Sequence, residues 1–193
     1  MICLNADYYD ENDLVNLGIK KVGSNVRVSK NCTIVGLDNI EIGSHVRIDA
    51  NCVLTATNFE FPMVLGDYIH IGSNCTILGN AGFTMKDFSG LSHGVRIFTS
   101  SDDFSGEYLF GPTVPENLRY PTSSSIVLEK YVLIGTNTVI LPGAILNEGV
   151  AVGASSVVNK ELKPWTIYFG VNPKTIGERK HNLEHLAQEL KVK

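Results

Sequence analysis

The chain has 193 residues, 44% of them hydrophobic, with a formal net charge of -4, enough for one sizeable core. Its charges form no long basic or acidic block, which excludes nucleic-acid binding driven by electrostatics. No apolar run approaches the roughly 18 residues of a membrane span, and MICLNADYYDEND lacks the basic-then-apolar order of an export signal, so a cytoplasmic domain acting on small molecules is expected.

Residues 8 to 17 (YYDENDLVNL) predict a short helix, with Asp10 or Asn12 as its cap and Gly18 beyond its last turn. From there aliphatic residues recur at every sixth position: Val22, Val28, Ile34 and Ile40, then Ile42, Ile48 and Leu54 after a slip of two. The segment TATNFEFPMV breaks this register, which resumes through Leu65, Ile71, Ile77, Phe83, Ser89 and Val95. Residues 101–125, rich in Ser, Gly, Pro and Asp, interrupt it again, and loops of that length usually serve function. The clearest run follows: Leu128, Ile134, Ile140, Leu146, Val152 and Val158, with Gly135 and Gly153 directly after two of them. After Trp165 the hexads stop, and Ile176, Leu183, Leu186 and Leu190 predict an amphipathic helix from Lys174 that caps the last repeat.

Six is the period of neither a helix nor a strand. A repeat sustained over most of a chain indicates a solenoid, here an all-β one in which each hexapeptide supplies a short strand and a corner and three close a triangular coil. An eighteen-residue coil stacks Leu65 over Phe83, Ile77 over Val95, Leu128 over Leu146, Ile134 over Val152 and Ile140 over Val158. The aliphatic residue and the small one two places before it point inward, and the residue between them points out. Glycine after the aliphatic residue is expected to ease the corner. Of the four cysteines, Cys3, Cys32, Cys52 and Cys75, the last three fall in the small inward slot and none forms a CxxC pair, so they read as packing thiols.

This repeat resembles that of the left-handed β-helix, hexapeptide-repeat acyltransferases, and ILPGAILNEGVAVGASSVVNK is very similar to that family's final coils. The resemblance covers roughly residues 22 to 174, and SHGVRIFTSSDDFSGEYLFGPTVP resembles a subgroup that acetylates surface-polysaccharide sugars and sugar nucleotides. It implies a capping segment over 1–21, a left-handed parallel β-helix over 22–168 with a loop inserted at about 101–125, and a terminal segment and helix over 169–193. It further implies a homotrimer that uses acetyl-CoA to O-acetylate a sugar of a surface polysaccharide or its nucleotide-linked precursor, with N-acetylation of an amino-sugar nucleotide as the alternative. Carbonic anhydrases of the γ type share this fold but need three converging histidines, and only two are suitably placed here, so no metal is expected. A non-catalytic scaffold is the remaining class.

Acyl transfer to a hydroxyl or amine needs a base, usually histidine. His45, His181 and His185 read as surface residues, which leaves His70 and His93. In YIHIG, His70 lies between Ile69 and Ile71 and must point outward, whereas His93, four residues after Ser89, falls in a nominally inward slot. Many relatives place a catalytic histidine where this chain has Ser100, Ser101, Asp102 and Asp103, and the resemblance makes the YIHIG histidine its replacement. Asp102 and Asp103 are candidates to orient the imidazole or bind sugar hydroxyls, or else to form the turn. Glu107 and Tyr108 lie in the same loop. The resemblance also puts the pantetheine of coenzyme A near Gly135, Gly153 and Ala154 and a phosphate near Lys174, although FGVNPK carries Phe169 where the family has alanine.

Overall fold

The computed structural model describes residues 7–191. The chain winds into a left-handed parallel β-helix whose three faces are sheets of nine, seven and six strands, with two short α-helices attached among the described residues. Its parallel coils run from the strand Lys21–Val22 to the strand Thr166–Phe169. Strand alternation produces the column: Val132 and Ile134 are 0% exposed while Leu133 between them is 46% exposed. Ile69 and Ile71 are buried in the same way, and His70 between them is exposed.

Above the loop the stacking is as expected, with Leu128 on Leu146, Ile134 on Val152 and Ile140 on Val158. Below it the coil is longer and two expected pairs change: Leu65 pairs with Met85, twenty residues on, and Ile77 pairs with Ile97. Two sides of each lower coil are hexads and the third is an octad, Ile77 to Met85, so the slip between Ile40 and Ile42 is a regular feature of the coil. Phe83, Ser89 and Val95 are buried in the other inward slot, which is why the shorter register seemed to continue through them. The TATNFEFPMV corner lengthens one coil further, so that Ile48 stacks on Ile71.

Both ends differ in detail from expectation. The first helix, α1, covers Glu11–Asn16, capped by reciprocal bonds between Asp10 and Asp13, and Leu14 closes the bottom of the column. Tyr8–Tyr9 is instead a strand, antiparallel to Arg27–Ser29. At the top, Lys174–Glu178 is a strand antiparallel to Thr166–Phe169, so Ile176 is not helical, and the second helix, α2, covers Asn182–Lys191. Among the described residues no helix is long and apolar enough to cross a membrane. Cys3 lies outside the described residues. Cys52 and Cys75 are buried and Cys32 half-buried, each thiol donating to a carbonyl of the next coil (Gly72, Ser92 and Asp49).

The glycine that follows the aliphatic residue does not serve the corner torsion. Gly135 has no positive φ, and a Cβ there would lie 2.5 Å from the Ala154 nitrogen, so what the site demands is close coil stacking. Left-handed torsions fall further into the corner, on side-chain-bearing residues in most coils and on Gly94, Gly143 and Gly149 in others. At one edge the side-chain-bearing ones are His45, Tyr68, Phe88, Tyr131 and Trp165, with φ between 50° and 63°. Their rings follow one another up the column at centroid separations of 4.5, 4.9, 5.5 and 5.9 Å, the first three contacts stacked and the Tyr131–Trp165 contact tilted by 35°, and His181 stacks 4.0 Å from Trp165. Ring stacking offsets part of the cost of the left-handed backbone.

Candidate active site

Each coil presents one outward residue on the nine-stranded face, and register aligns Arg27, Arg47, His70, Gly90 and Leu133. The imidazole of His70 is 54% exposed. It is nevertheless fixed, because its Nε2 lies 2.8 Å from Oδ2 of Asp49, whose side chain is only 11% exposed. An ionised carboxylate can only accept, so Nε2 carries a proton, and in the neutral ring Nδ1 is left with its lone pair. Arg47 Nε donates to the other oxygen of Asp49 at 2.7 Å, and the Tyr8 hydroxyl donates to that oxygen at 3.3 Å. Burial pushes the Asp49 carboxyl upward, but the bonds from His70 and Arg47 outweigh it and hold the group below its usual value. The stability these bonds contribute is therefore present above the unfolded-state pKa and lost as the pH falls through the lowered one.

His70 lines three adjoining clefts. A largely apolar one of about 360 Å³ runs under α2, between Tyr131 and Leu133 on one side and Leu183, Leu186 and Leu190 on the other. A second, of about 320 Å³, is shared with His45, Arg47 and Tyr68, and a third, of about 170 Å³, with Ser92, His93 and Thr136. Gly90, one coil above His70, has no side chain to close the space between them. Helix α2 is held over this face by Arg179, whose guanidinium donates to the carbonyls of Tyr131 and Gly149.

His93 is exposed, which corrects the inward slot expected for it: the strand ends at Leu91, its inward residue, and His93 lies in the corner beyond, where strand alternation no longer applies. Its Nδ1 accepts the Ser73 N–H at 3.0 Å, so the neutral ring carries its proton on Nε2. The third cleft thus has a lone pair on His70 and a ring donor on His93. Asp102 and Asp103 do not reach either ring within the chain. Asp103 accepts from the backbone of Ser105, Gly106 and Tyr108 and from the Ser105 hydroxyl, and Asp102 accepts from Gly111, so both shape the loop clasped at its base by Ser100–Ser101 and Thr122–Ser123. Bonding to the Ser105 hydroxyl, then to these amides, lowers the Asp103 carboxyl. Glu107 and Tyr108 are exposed in that loop.

On the late coils the small residues do not simply leave room for a ligand. Gly135 is filled by the coil above it, and a Cβ on Gly153 would lie 2.6 Å from the ring of Phe169, the residue that departs from the family pattern. Ala154 and Lys174 are exposed and open to a ligand. Asp49 is not legible as a site residue in the sequence alone. Its only signal was a carboxylate beside the outward Arg47, a position that becomes diagnostic once Arg47 is known to pair with His70.

No family model matches the chain. It is 38% identical over 184 residues, 95% of each chain, to the dTDP-4-amino-4,6-dideoxy-D-glucose acyltransferase of Escherichia coli. It is 34% identical over 125 residues to the putative lipopolysaccharide biosynthesis O-acetyl transferase WbbJ of Escherichia coli K12, a match covering 64% of this chain and 61% of that one. Among solved structures it superposes on AntD, an N-acyltransferase from Bacillus cereus in complex with dTDP and 3-hydroxybutyryl-CoA, with a TM-score of 0.90 at 35% identity over 98% of each chain.

Proposed function

The chain belongs to the hexapeptide-repeat acyltransferases of the left-handed β-helix fold, and we propose that it transfers an acyl group from a coenzyme A thioester to the amino group of a nucleotide-linked amino sugar. The observation that carries this reading is the exposed, carboxylate-bound His70 on the floor of three clefts, in a chain similar along nearly its whole length to a dTDP-aminosugar acyltransferase. In this reading the acceptor nitrogen attacks the thioester carbonyl while His70 Nδ1 takes its proton. Nε2 of His93 is placed to donate to the oxygen that gains charge. Collapse of the adduct breaks the carbon–sulfur bond and releases coenzyme A, whose sulfur takes the proton from His70. Asp49 keeps the ring oriented through its bond to Nε2 during these steps.

The donor would use the exposed Ala154 corner and Lys174 at the upper end of the column. O-acetylation of a polysaccharide sugar would need the same base and donor, and the similarity to WbbJ favours it over a shorter stretch. The test is a screen of acceptors with acetyl-CoA and 3-hydroxybutyryl-CoA, measuring free thiol. Release is expected with dTDP-4-amino-4,6-dideoxyglucose and not with its hydroxyl counterpart, and the opposite order would sink the N-acyl reading.

We also propose a homotrimer with the cytoplasm as its place of action. Leu133, Leu186 and Leu190 are each close to half exposed around the apolar cleft, a surface that a neighbouring column would cover. Sedimentation should give three chain masses. A stable, fully active monomer at micromolar concentration would refute it.

A further inference from the structure

Below His70, the nine-stranded face carries Arg47 and Arg27 on successive coils, in direct strand register. Neighbouring strands lie about 4.8 Å apart, so two guanidiniums and an imidazole form a track on the order of 10 Å long. Like charges directly opposite one another destabilise a sheet, and nothing in the packing requires them, since both arginines are exposed. Asp49 balances only one of the two charges. Arg47 is held in place by Asp49 and by its Nη2 bond to the Tyr8 hydroxyl at 3.3 Å. The Arg27 guanidinium has no hydrogen bond or ion pair among the described residues. Beside the track lies the cleft of about 320 Å³, whose wall also includes His45.

We infer that Arg27 and Arg47 form a diphosphate site, which holds the diphosphate of the nucleotide-linked acceptor so that its sugar extends up the face to His70. This rests on the acceptor reading above. Guanidinium forks match phosphate oxygens in pairs, and two of them one strand spacing apart suit two linked phosphoryl groups better than a single anion. Coenzyme A also carries a diphosphate. Arg27 and Arg47 lie at the opposite end of the column from Lys174 and Ala154, which assigns them to the acceptor.

The test is Arg27→Gln, because Arg47 also touches Asp49 and would disturb His70. Calorimetric titration with dTDP and, separately, with coenzyme A should show affinity for dTDP falling about 10-fold to 100-fold, the worth of a charge-assisted bond. Affinity for coenzyme A and the melting temperature should not move. Unchanged dTDP affinity, no dTDP binding by the unmodified chain, or a loss confined to coenzyme A would each overturn the assignment. If the unmodified chain binds dTDP through Arg27 yet acylates no nucleotide-linked amino sugar, the diphosphate site stands and the acceptor reading fails. If it acylates one equally well after Arg27→Gln, the reverse holds.

Discussion

His70→Ala is expected to lower turnover by roughly 100-fold to 10,000-fold, the usual worth of general acid–base catalysis. The loss should appear in kcat, with affinity for the acyl donor unchanged, because the imidazole is proposed to meet the acceptor's proton. Stability should fall only modestly, since a side chain 54% exposed contributes little packing, although its bond to the nearly buried Asp49 carboxylate is lost. Asp49→Asn should give a smaller loss, because an amide can donate as well as accept and no longer dictates which ring nitrogen carries the proton. In the His70→Ala background the Asp49 substitution should cost no further activity, the signature of a residue that acts through its neighbour. His93→Ala should reduce turnover if its Nε2 serves the developing charge, and it also leaves the Ser73 amide without its partner. Near-normal turnover of His70→Ala alongside an inactive but folded His93→Ala would reverse the assignment.

Ile140→Asp is expected to abolish folding. Ile140 is 0% exposed and bridges the two parts of the column, resting between Ile97 and Val158. An unpartnered carboxylate there costs several kcal/mol even after relaxation, against a total stability on the order of 5–15 kcal/mol. In a solenoid each coil contacts only its neighbours, so one ruined rung separates the coils below from those above. Ile140→Val, which keeps the rung apolar, should cost about 0.5–1.5 kcal/mol. Circular dichroism and thermal melts of the two variants decide the matter. A cooperative transition for Ile140→Asp near that of the unmodified chain would show that the stack tolerates a charge.

The parts of the fold legible in the sequence were those where the coil repeats without interruption. From Leu128 to Val158 all sides are hexads, and every stacking pair was readable. In the lower coils the octad hid the register, because Phe83 and Val95 supply apolar residues at the wrong phase as well as the right one. The outward direction of His70 could be read from Ile69 and Ile71, since alternation along a strand is local. Its partner could not. Asp49 reaches His70 only because the TATNFEFPMV corner sets Arg47 beneath His70, a spacing of neither eighteen nor twenty residues. The misplacement of His93 followed from the same phase error, and the terminal strand Lys174–Glu178 was hidden because its antiparallel return has no counterpart in the repeat.

The stack of rings along one edge makes the molecule its own spectroscopic instrument. The chain has a single tryptophan, Trp165, and that indole is sandwiched between Tyr131, on the column, and His181, at the start of the terminal helix. Its emission therefore reports how the start of the terminal helix is seated against the column. As α2 forms one wall of the cleft beside His70, a shift of the helix when a ligand enters would change the environment of the single indole without any label being introduced.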